Sequence, residues 1–85
     1  MNGSYLITFR SITYAQKGER LLKEMGIPCT LQRTPKALTR QGCGYCLRLS
    51  LRDGAKAAEL LRQKQVQMRK IYLQMEGGDI QEVQL

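Results

Sequence analysis

Apolar and polar residues alternate from Ser4 to Arg10, with Tyr5, Ile7 and Phe9 on one side and Ser4, Leu6, Thr8 and Arg10 on the other. A period of two in β-branched and aromatic residues predicts a strand. Ser11 can then cap a helix by accepting from a backbone N–H one turn on. From Ile12 to Met25 the spacing changes: Ile12, Ala15, Leu22 and Met25, with the small Gly18, form one helical stripe. Gly26 suits the end of that helix.

Ile27 to Arg33 predicts a second strand with Ile27, Cys29 and Leu31 inward. Pro28 donates no ladder hydrogen bond, which places this strand at an edge or delays its start. Pro35 to Leu38 suits a single helical turn. A third strand places Tyr45, Leu47, Leu49 and Leu51 inward, with Cys46, Arg48 and Ser50 facing the other way. Asp53 is the expected cap of a second helix running to about Gln65, with Ala57, Ala58, Leu60 and Leu61 inward. A fourth strand from Arg69 to Met75 turns Ile71, Leu73 and Met75 inward, and Gly77-Gly78 breaks it. The stretch 79–85 reads equally as a frayed tail or a short extra strand.

The order βαββαβ predicts an α+β, ferredoxin-like sandwich: an antiparallel sheet of order 4-1-3-2 with two helices on one face. That order puts the proline-bearing second strand at an edge. Residues 1–76 form one domain, and 77–85 the tail or added strand. The topology gathers Arg10, Ser11, Lys36, Arg40, Cys43, Arg69 and Lys70 at one end of the sheet. Its open face would show Thr8, Thr30, Gln32, Cys46, Arg48, Ser50, Lys70 and Tyr72.

Charge sharpens this picture. The chain of 85 residues carries a formal +7, but Glu76, Asp79 and Glu82 lie in a final stretch with no Lys or Arg. The remainder therefore favours anionic partners, whether a nucleic acid, an acidic protein or a small anion. No apolar run reaches the roughly 20 residues of a membrane span. The N-terminus lacks the pattern of a signal peptide, and the protein reads as cytoplasmic.

The chain contains no histidine. That removes the commonest general base and metal ligand, so Ser-His and Cys-His dyads are excluded within it. Three cysteines do not suit a structural disulfide framework. Cys43 stands between Gly42 and Gly44, with Lys36, Arg40 and Arg48 in the surrounding sequence. Positive charge and exposure favour the thiolate, which is the nucleophile. Such a thiolate can attack a disulfide or hold a sulfane sulfur or selenium atom. Cys46 completes a C-x-x-C spacing and is a candidate resolving thiol, although here the motif leads into a strand rather than a helix. The pair supplies only two of the four ligands zinc requires, so no metal and no other cofactor is expected. Cys29, on an inward strand position, reads as core.

Phe9-Arg10-Ser11 at the end of the first strand, then Ala15, Glu19, Leu22 and Gly26, Pro35 and finally Cys43-Gly44, resemble a small family of bacterial domains described as selenium/sulfur-carrier-like proteins. The similarity runs from Tyr5 to about Leu51. It implies a ferredoxin-like fold and Cys43 as the sulfur- or selenium-bearing thiol. A cysteine at position 46 departs from the family pattern, where a small apolar residue is usual.

These features support a non-enzymatic sulfur or selenium carrier, or thiol relay. Cys43 is its acceptor, with Cys46 beside it. Arg10, Ser11, Lys36, Arg40, Gly42 and Gly44 stabilise the anion, and the expected partner is an acidic sulfur- or selenium-transfer protein. The alternative is a basic RNA- or protein-binding adaptor with structural cysteines. Gln41-Gly42-Cys43-Gly44-Tyr45 keeps the glycine spacing of an RNA-recognition strand, but cysteine replaces its first aromatic ring. Homodimerisation through the open face or an edge strand is a further option for a domain this small.

Overall fold

In the computed structural model, which describes residues 3–41 and 44–85, the alternating N-terminal segment forms β1, Gly3–Thr8. The first helix, α1, spans Ile12–Glu24. Ser11 begins it as expected: its Oγ accepts from the Tyr14 backbone N–H at 3.4 Å, satisfying a donor that has no carbonyl within the helix. Gly26 follows the helix at φ +79°, a left-handed conformation that glycine adopts without a Cβ clash.

The second strand, β2, is short, Thr30–Arg33, and starts after Pro28. It lies at a sheet edge. A 3-10 helix over Lys36–Gln41 replaces the single turn expected there. Then come β3 (Tyr45–Ser50), a 3-10 turn (Leu51–Asp53) and α2 (Gly54–Gln63). The chain ends with β4 (Ile71–Met75) and β5 (Ile80–Val83).

All five strands form one antiparallel sheet in the order β2-β3-β1-β4-β5. The stretch 79–85 thus supplies a fifth strand, Ile80–Val83, rather than a frayed tail. Gly77 and Gly78, at φ +105° and +101°, make the turn that returns it along β4.

The core lies between one sheet face and both helices. Ile7, Phe9, Leu47, Leu49 and Ile71 from the sheet side meet Ala15, Leu22, Ala57, Ala58 and Leu61 from the helices. Gly18 is what lets α1 approach so closely. A Cβ there would lie 3.1 Å from the Phe9 ring and 3.3 Å from both Leu47 and Leu61.

Several side-chain expectations are corrected. Ile12 and Met25, assigned to the buried stripe of α1, are exposed, as is Met75 on β4. Each sits at the end of its element, beyond the reach of the opposing layer. Asp53 does not cap α2 through its side chain. Its carboxylate accepts instead from Ser50 Oγ at 2.9 Å.

The open face differs most. Leu6 and Cys46 are fully buried and Thr8 nearly so, although strand alternation turns all three away from the helices. Leu6 is flanked by Arg48 on β3 and Tyr72 on β4. Cys46 is flanked by Thr8 on β1 and Gln32 on β2. Central positions between paired strands are covered by longer neighbours, and the sequence pattern alone does not show this.

Candidate functional site

The end of the sheet where β1 leaves for α1 is tightly hydrogen-bonded. Thr8 N donates to the Lys70 carbonyl at 2.9 Å, and Arg69 N donates to the Thr8 carbonyl at 2.8 Å. Thr8 Oγ1 also accepts from Lys70 N at 3.1 Å. On its other side Thr8 pairs with Cys46. One row therefore crosses the sheet from Gln32 through Cys46 and Thr8 to Lys70. Arg10 and Ser11 follow Thr8 closely, so the start of β3 is brought beside the start of α1.

The loop leading into β3 is closed at its base. Thr34 N donates to the Gly44 carbonyl at 2.7 Å. Lys36 begins the 3-10 helix and is exposed. Arg40 lies on the same 3-10 segment, but its side chain is outside the described part, and Gly42 and Cys43 are outside the described residues altogether. A Cβ on Gly44 would meet nothing within 4 Å, so packing does not demand glycine there.

Among the expected cluster, Arg10 and Arg69 line one groove. Ser11 is committed to the helix cap. Lys70 turns to the acidic end of the chain, its Nζ 3.3 Å from a Glu82 carboxylate oxygen. The basic open face is correspondingly reduced, because β5 returns an acid to it. The Tyr45 ring has the Arg33 guanidinium stacked over it at 5.4 Å, an arrangement that a cation and an aromatic face favour.

Two described cysteines occupy contrasting settings. Cys46 is fully buried in β3. Cys29 is half-buried: it packs against the core, as expected, and also lines an open groove of about 480 Å³ with Lys23, Ser4, Thr30 and Arg48. Its Sγ lies 3.9 Å from the Glu19 carbonyl. Partial burial pushes the Cys29 thiol above its ordinary range, the Glu19 charge adds to this, and Lys23 opposes it. Both effects of burial and a nearby carboxylate disfavour the thiolate.

The family model described as "Putative Se/S carrier protein-like" matches residues 4–73. The chain belongs to this family. The match extends well past Leu51, where the sequence resemblance was placed, and takes in α2 and most of β4. No curated protein and no solved structure matches the chain. Among the described residues, no helix is long and apolar enough to cross a membrane.

Within this family member, Cys29 should behave as a poor nucleophile at neutral pH. Its alkylation by iodoacetamide is expected to be slower than that of an unstructured cysteine peptide, with a midpoint at higher pH. Glu19→Gln should bring the midpoint down, because it removes a charge that raises the pKa and releases Lys23 from its 3.1 Å ion pair. The linkage has a definite sign. The thiol's contribution to stability is intact below the unfolded pKa of about 8.5 and declines as pH rises above it, since the unfolded thiol ionises first.

Proposed function

We propose that this protein carries sulfur or selenium on Cys43 and hands it between partner proteins without itself catalysing a net reaction. Membership of the Se/S-carrier-like family over a span that includes Cys43 is the observation that carries the reading. The other two thiols support it by contrast: one is fully buried and the other has its thiolate disfavoured. The sheet with α1 and α2 reads as a ferredoxin-like unit, β2-β3-β1-β4, widened by β5 at one edge.

In the loading step the Cys43 thiolate attacks the outer sulfur of a donor persulfide. A new S–S bond forms to Cys43, the donor's own S–S bond breaks, and the donor leaves as a thiolate. The sulfane sulfur changes hands with no net oxidation or reduction. Lys36 and Arg40, close to Cys43 in the chain, supply positive charge that favours its thiolate. Glycines in such a loop suit backbone N–H groups that hold an anion. Cys46 lies three residues on. It can resolve the persulfide only if the first turn of β3 opens, because its Sγ is buried.

Incubation with a persulfide donor should add one sulfur to the wild-type chain, measured by intact-mass spectrometry, and none to Cys43→Ser. Equal loading of Cys43→Ser rejects the role. The adaptor reading has weaker support, since Lys70 is paired with Glu82 and Arg33 covers Tyr45.

A further inference from the structure

Of the residues lining the groove that Arg10 and Arg69 share, only Arg10 was expected to stabilise the Cys43 anion, and the loading step proposed above uses none of them. It is lined by Arg10, Arg62, Gln65, Val66, Met68 and Arg69, together with Gln67, and has a volume of about 520 Å³. That lies within the roughly 300–1,000 Å³ usual for small-molecule sites. Three arginines thus line one groove, and no acid is among its lining residues.

Like charges brought together repel unless an anion joins them. Arg62 donates to the Leu85 main-chain oxygen. Arg10 and Arg69 form no ion pair among the described residues, whereas Glu82 on β5 is already engaged by Lys70. Arg10 also precedes α1, whose first turn carries no acid. Positive charge is thus left uncompensated at this end of the molecule.

The apolar part of the groove comes from Val66, which is buried, and Met68, which is half-buried. Gln65 adds a separate clue. It follows α2 at φ +61°, the left-handed position that glycine fills after α1. A residue with a Cβ pays a conformational penalty there of about 1 kcal/mol. Gln65 places an amide at the groove.

We propose that this groove binds a small molecule bearing a phosphate or pyrophosphate head on an aromatic or apolar body, of about nucleotide size. The head lies between Arg10 and Arg69, whose planar forks suit phosphate oxygens. The body lies on Val66 and Met68.

ADP serves as the probe, titrated into the full chain and followed by amide chemical shifts. Saturable shifts confined to residues 10–13 and 62–70 are expected. Arg10→Gln and Arg69→Gln should each weaken ADP binding by about tenfold or more, the size of a lost charge-assisted hydrogen bond. Adenosine should not saturate the site. Shifts spread over Arg33, Arg48 and Arg52, or unchanged affinity in both folded variants, overturn the proposal. Pyrophosphate binding as tightly as ADP overturns the apolar half of the site. An RNA oligonucleotide that binds more tightly than ADP and shifts Arg48 and Tyr72 overturns it in favour of a nucleic-acid face. Persulfide loading of Cys43 should be unaffected in Arg69→Gln, which separates this site from the carrier role.

Discussion

Phe9→Ala lowers the free energy of unfolding by about 3–5 kcal/mol. Phe9 has no exposed surface and is the largest of the fully buried side chains. Its ring sits against Gly18 of α1, within the core cluster that joins both helices to the sheet. Removing it costs the transfer energy of the ring and leaves a cavity under α1 that the rigid sheet cannot collapse to fill. Total stability for a chain of this length is roughly 4–13 kcal/mol at the usual 0.05–0.15 kcal/mol per residue. A large share of the molecules is therefore expected to unfold at low denaturant. The urea midpoint measures the effect, with Phe9→Leu as a milder control. A loss below about 1 kcal/mol in Phe9→Ala would show that α1 settles onto the sheet without the ring.

The second large effect is expected at Gly54, the first residue of α2. A Cβ there would stand 2.3 Å from two carbons of the Tyr5 ring, and 3.1 Å from Leu85. Either the ring leaves its place on β1 or α2 shifts outward, so Gly54→Ala should cost about 1–3 kcal/mol. This outweighs the helix-propensity gain, which is at most about 1 kcal/mol and smaller at a helix end. Tyr5→Leu removes the ring that causes the clash. In a double-mutant cycle the pair should therefore show a coupling of about 1 kcal/mol or more, with Tyr5→Leu relieving the cost of Gly54→Ala. Additive effects would place the strain elsewhere. Gly44→Ala is the internal control: nothing lies within 4 Å of its Cβ, so a change within about 0.5 kcal/mol is expected.

The glycines show how differently one residue type reads in sequence and in space. Gly26 and Gly77-Gly78 are legible as breaks because their φ values are positive, a demand of the local backbone. Gly18 and Gly54 are demanded by other parts of the chain. Gly18 meets Phe9, Leu47 and Leu61, and Gly54 meets Tyr5. No window around either glycine contains that information.

The candidate site divides in the same way. Cys43 stands out from its neighbours in the chain, and the family match includes it. The setting of Cys29 depends on Glu19 and Lys23, which α1 brings against β2. Alternation places Cys29 inward on a strand, but it precedes β2 and is half-covered. The groove beside Arg10 joins residues from opposite halves of the chain, linked by the Thr8–Arg69 hydrogen bond.

From the residues alone came the order of helices and strands, the Ser11 cap, the edge position of β2 and the mixed α+β class. Each follows from periodicity, a capping hydroxyl or a missing N–H, all of which act within a few residues. Tertiary structure decided that the last residues pair with β4, that Cys46 and Leu6 are buried on the face away from the helices, and that Glu82 neutralises Lys70. Burial and pairing are properties of what comes to lie across a strand or over a face. Only the folded sheet sets that distance.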